Sequence, residues 1–103
     1  MPKLHIVYWR DIPAQVIVGQ GRRAAKRALP ERFEQAIDRC AMKVGARDTD
    51  AYLAEWRKAD AVDRPGEPGE IAEAEVARIE TEFDGAAIRA LIANDGWASP
   101  AAD

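Results

Sequence analysis

The sequence has little with which to do chemistry. Of 103 residues, one is cysteine (Cys40) and one is histidine (His5). A lone cysteine cannot build an internal disulfide framework. One Cys and one His fall short of the four ligands a structural zinc site usually takes. No apolar run approaches the roughly 18 residues needed to cross a bilayer. The apolar N-terminal stretch ending at Trp9 is interrupted by Arg10 and Asp11, which makes it too short for a secretory signal. The expected compartment is the cytoplasm.

What is present is the balance of a globular chain, 48% hydrophobic and 32% charged. The length suits one modest core, expected over residues 1–96, with 97–103 as a flexible tail. The net charge of −3 conceals a division. Residues 1–58 hold 12 Lys and Arg against 7 Asp and Glu, whereas residues 59–103 hold 3 against 11. Two explanations stand open: a basic face for an anionic partner, or two halves that attract one another within the fold.

Lys3 to Arg10 reads as a strand, because Leu4, Ile6, Val7, Tyr8 and Trp9 are β-favouring types. Pro13 breaks the run, and Ala14 to Val18 forms a second short strand. The short interval between them predicts an antiparallel pair. Arg22 to Leu29 contains helix formers and is expected to be helical. A further helix follows Pro30, with Phe33, Ile37, Cys40, Ala41 and Val44 at helical spacing until Gly45. Asp48 or Thr49 is the expected cap of the next helix, whose buried stripe would be Tyr52, Leu53 and Trp56. The Pro/Gly-rich segment 60–70 reads as a loop. A helix over about 70–83 and an apolar continuation through Ile88, Leu91 and Ile92 complete the chain. The fold class is therefore α+β: a short N-terminal antiparallel two-stranded element covered by three to four helices.

Three stretches carry candidate function. In Gly19-Gln20-Gly21-Arg22-Arg23 a strand ends in Gly-x-Gly and is expected to open a helix, with Lys26 and Arg27 adding charge. Such a segment suits an anion or a nucleotide phosphate. The third glycine of a dinucleotide loop and the Gly-Lys-Ser/Thr of a phosphate loop are both missing. Next, Tyr8 to Pro13 makes a shaped corner in which Arg10 and Asp11 either bond local backbone or face a ligand. Finally, Glu70, Glu73, Glu75, Glu80, Glu82 and Asp84 read as a solvated helix face, without the ligand alternation of a calcium loop. Cys40 lies on an apolar stripe, where cysteine behaves as a small hydrophobe. No catalytic residue, metal or cofactor is expected, and an acidic pI near 5.2 argues against nucleic acid.

The runs Ile6-Val7-Tyr8-Trp9-Arg10-Asp11-Ile12-Pro13-Ala14-Gln15-Val16, Gly19-Gln20-Gly21-Arg22-Arg23 and Leu29-Pro30-Glu31-Arg32-Phe33-Glu34-Gln35-Ala36-Ile37-Asp38 resemble a small bacterial virulence factor domain family. That domain also occurs within conserved virulence factor C. The resemblance implies an accessory protein beside corrinoid- and folate-dependent methyl transfer, acting by protein contact. The reading that follows is a non-enzymatic interaction module with a protein partner or a second copy, docking through an exposed strand edge at Val16 and Val18. The alternative is an anion-binding module. The ligand- or partner-binding residues would be Arg10, Asp11, Gly19, Gly21, Arg22, Arg23, Lys26 and Arg27.

Overall fold

The computed structural model describes residues 2–45 and 49–98. In chain order the elements are strands β1 (Lys3–Trp9), β2 (Ile12–Val18) and β3 (Ala25–Ala28), helices α1 (Glu31–Val44) and α2 (Thr49–Ala54), strands β4 (Trp56–Lys58) and β5 (Val62–Asp63), and helices α3 (Pro68–Glu82) and α4 (Gly85–Ala93). The architecture is α+β, with an antiparallel sheet and four helices among the described residues. The sheet has five strands in the order β3-β2-β1-β4, and β5 also pairs with β1.

The expected two-stranded element is thus the centre of a larger sheet. Leu4 pairs with Val18, Ile6 with Val16 and Trp9 with Ile12. The register shifts between Val7 and Tyr8, where Pro13 sits opposite Tyr8. A proline cannot donate to the ladder and is tolerated at a bulge. Pro13 therefore falls inside β2 instead of ending the preceding run.

The helix expected over Arg22 to Leu29 is a single 3-10 turn, Gly21–Arg23, followed by β3. Ala25 to Ala28 favour a helix locally, but each pairs with β2, from Val18↔Ala25 to Gln15↔Ala28. Tertiary pairing overrides a weak propensity. β3 thereby takes the outer position, and the edge expected at Val16 and Val18 does not exist. Both valines are wholly buried on a central strand.

The sheet has two unlike faces. Leu4, Val16 and Val18 point to one side and are buried; α3 lies there across β2 and β3, tied by Arg27 to Glu73 at 3.6 Å. Glu75, the one buried charged residue among those described, is held by the Arg78 guanidinium, which also binds Glu82. A buried carboxylate left unpaired would be costly. Helix α1 buries Phe33, Ile37 and Cys40 and ends where Gly45 takes a left-handed φ of 79°. Its Phe33 ring meets Phe83, which follows α3, edge to face at 6.4 Å.

Around α2 the outcome differs from expectation. Trp56 lies in β4, and Leu53 is 56% exposed. The expected cap falls on Asp48 and on the Thr49 side chain, which lie outside the described residues, as does most of the expected tail, 99–103. The loop over 60–70 contains β5, whose Val62 pairs with Leu4. Helix α3 begins at Pro68, and the Glu67 side chain accepts a 2.8 Å hydrogen bond from the Glu70 amide. That bond holds the Glu67 carboxyl below its usual pKa.

Candidate functional site

The candidate residues fall at opposite ends of the sheet. Arg10 and Asp11 form the hairpin turn between β1 and β2. Arg10 adopts φ 55°, a left-handed conformation unusual for a residue with a side chain. Its guanidinium donates to Glu55 at 2.9 Å and to the Asp95 carbonyl at 2.7 Å. It also lies between the rings of Trp9 and Trp97, 5.3 and 5.2 Å from their centroids. Asp11 accepts from Arg57 at 2.5 Å and from the Ala98 amide at 2.7 Å.

This corner is closed. Gly96 has φ +92°, and a Cβ there would come within 3.2 Å of Cys40 Sγ and 3.1 Å of Arg10. Trp9, with no exposed surface, donates its indole N–H to the Tyr52 carbonyl at 2.9 Å. Cys40 is buried beside it; desolvation pushes its thiol pKa up, against the pull of Arg10 and Lys43. Arg10 and Asp11 thus spend their bonding capacity on the protein itself.

Gly19, Gly21, Arg22, Arg23 and Lys26 lie at the other end, with Arg27 turned away toward α3. Gly19 donates to the Lys3 carbonyl at 2.9 Å, which closes β2 onto the start of β1. Gly21 at φ +64° turns the chain toward β3, and a Cβ there would meet nothing within 4 Å. Arg22, Arg23 and Lys26 are exposed. Their side chains make no hydrogen bond or ion pair with another described residue. The 3-10 turn is too short to serve as a helix N-terminus for an anion, so only backbone shape and side-chain charge remain of that expectation.

The pairing brings in two residues that the sequence did not single out for this role. His5 stands opposite Ile17, and Ile17 opposite Lys26; Lys58 stands opposite Val7, and Val7 opposite Gln15. Directly opposed residues share a face. These six therefore line the side of the sheet away from α3, and His5, Val7, Gln15 and Ile17 are all partly exposed. His5 Nδ1 lies 3.1 Å from the Ala59 carbonyl, which can only accept, so Nδ1 carries the proton. The Lys58 side chain, like that of Lys26, has no partner among the described residues. Only strand pairing places Lys58 here, and no local sequence signal announces it.

The charge division is explained in part by attraction within the fold. Lys3–Asp63, Arg27–Glu73 and Lys43–Asp95 join the basic half to the acidic half. Arg32 adds hydrogen bonds to the carbonyls of Phe83 and Glu80 at 2.6 and 3.0 Å. Arg22, Arg23, Lys26 and Lys58 are left over at one end. His5 lies there too, while Cys40 lies at the hairpin end, so the two do not meet as a nucleophile and its base. Among the described residues, no group of three or more His, Cys, Asp or Glu is placed to hold a metal ion.

Fold and site together define a small α+β module with one solvated, basic sheet face. A family model described as "Virulence factor" matches residues 7–92, and the chain belongs to that family. No curated protein and no solved structure matches it. No described helix is long and apolar enough to cross a membrane.

Proposed function

We propose that this virulence factor family member is a non-enzymatic accessory module that docks an acidic, extended protein segment along the edge of β3. The observation that carries this reading is the outer edge of that strand, which pairs with no other strand among the described residues. Leu29 donates to the Ala14 carbonyl, so Arg27 and Ala25 also face β2 in the antiparallel alternation. The amides of Lys26 and Ala28 then point outward. The outward Lys26 carbonyl accepts from the Arg27 side chain at 3.0 Å. An added strand would bond to these groups. A second copy pairing β3 with β3 would oppose Lys26 and Arg27 of both chains, so a partner rich in Asp and Glu fits better.

Ala28→Pro tests this, because it deletes an outward amide and leaves the β2 ladder intact. Affinity capture from the native host is expected to lose its partner with this variant while the circular dichroism stays unchanged. A normally folded Ala28→Pro protein that keeps every partner contradicts edge docking. The implied place beside corrinoid- and folate-dependent methyl transfer belongs to the same reading and would be exercised through this contact.

A second reading is favoured by the cations left over at Gly19 to Arg27: an anion- or nucleotide-phosphate-binding module. Arg22→Glu with Arg23→Glu is then expected to abolish ligand-dependent thermal stabilisation. Ala28→Pro separates the two readings, since it removes an outward amide that edge pairing needs and leaves the basic side chains of the anion-binding segment in place.

A further inference from the structure

The open face is concave where it meets the glycine loop. A cavity of about 440 Å³ lies there, lined by His5, Ile17, Gly19, Gly21, Lys26 and Lys58 together with Gln20 and Ala24. Its size falls within the range of small-molecule sites. None of its lining residues is acidic. Asp63, on the neighbouring β5, is engaged by Lys3 at 2.7 Å. Two lysines with no partner among the described residues therefore face a space that contains no carboxylate.

The lining residues do different work. Ile17 supplies an apolar surface between the His5 ring and Lys26. A histidine ring whose Nδ1–H is engaged by a carbonyl, as that of His5 is, offers its Nε2 to a hydroxyl group, which can both donate and accept. Lysine ammonium groups act as point charges toward phosphate, and such charge-assisted hydrogen bonds are about twice as strong as neutral ones. Gly19 and Gly21 hold no side chain over the cavity, so a ligand can approach the backbone closely.

We propose that this cavity binds a small metabolite bearing one phosphoryl group, with Lys26 and Lys58 on the phosphate, His5 Nε2 on a hydroxyl and the organic body against Ile17. The proposal rests on the anion-binding reading above and locates its ligand on the sheet face instead of on Arg22 and Arg23.

The test is a titration of the full chain, followed by amide chemical shifts and calorimetry, with AMP, ribose 5-phosphate, inorganic phosphate, adenosine and a single-stranded oligonucleotide as probes. AMP and ribose 5-phosphate are expected to bind, with shifts centred on His5, Ile17, Gly19 to Gly21, Lys26 and Lys58. Inorganic phosphate is expected to bind at least ~10-fold more weakly, and adenosine not at all. Lys26→Ala and Lys58→Ala should each weaken AMP by ~10-fold, the scale of one lost charged hydrogen bond.

Absence of binding at millimolar concentration overturns the proposal. Inorganic phosphate bound as tightly as ribose 5-phosphate also overturns it, because the organic body then contributes nothing. So does an oligonucleotide bound more tightly than AMP through the same residues. AMP binding that is lost in Arg22→Glu/Arg23→Glu but indifferent to Lys58→Ala leaves the anion-binding reading standing and removes this cavity from it.

Discussion

The two ends of the sheet carry similar residues and use them in opposite ways. At the hairpin end, Arg10, Asp11, Glu55 and Arg57 bond to one another and to backbone, and Arg10 packs between Trp9 and Trp97. At the glycine end, Arg22, Arg23, Lys26 and Lys58 have no such partners among the described residues, and the surrounding face is open. A charge that is satisfied inside the fold has a structural explanation. A cluster of like charges left to solvent costs stability by mutual repulsion and has no such explanation, which is the ground for proposing a ligand or partner there.

The largest effect that would sharpen this contrast belongs to the hairpin end. Trp9→Ala is expected to cost about 3–5 kcal/mol in urea unfolding, through the cavity and the lost bond to the Tyr52 carbonyl. Arg10→Ala should cost about 2 kcal/mol, since it leaves the partly buried Glu55 unpaired and removes the bond to Asp95. A loss below about 0.5 kcal/mol would mean that this corner is free for other work, and the contrast would fail.

At the glycine end the expected effects on stability are smaller. Gly21→Ala places a side chain at φ +64° in open space and should cost about 1 kcal/mol, all of it backbone strain. Asp63 offers a pH test. Its carboxyl is held below the usual value first by the hydrogen bond from Lys3 and then by the Lys3 charge. The fold therefore favours the ionised form. That contribution is present above the unfolded carboxylate pKa of about 4 and is lost as pH falls through the lower folded value. Asp63→Asn is expected to flatten slightly the acid limb of a stability–pH curve, and an unchanged limb would show the pair to be inert.

Much of the fold was legible because its signals are local. The β-favouring run from Leu4 to Trp9, the spacing of Phe33, Ile37 and Cys40, and the stop at Gly45 each act within one element. What failed were features settled by distant partners. Ala25 to Ala28 became a strand because β2 offered pairing, and Trp56 joined β4 because β1 did. The corner at Arg10 and Asp11 was visible as a shape, but its closure depends on Glu55, Arg57, Asp95 and Gly96, remote in sequence. At the other end, Gly19 to Lys26 stood out by composition, whereas Lys58 and His5 reached the same face only through register. The edge expected at Val16 and Val18 fails for the same cause: β3, which no local signal announces, pairs there. Proline at either position would break the central ladder and test folding, not docking.

The most direct measurement is the urea unfolding free energy of a chain carrying Arg22→Gln, Arg23→Gln, Lys26→Gln and Lys58→Gln together, at low ionic strength. If these cations are held for something outside the fold, removing them relieves repulsion, and stability should stay within about 0.5 kcal/mol of the wild-type value or rise above it. A loss of 2 kcal/mol or more, roughly the scale expected for Arg10→Ala, would show that the glycine end is as much a part of the scaffold as the hairpin end.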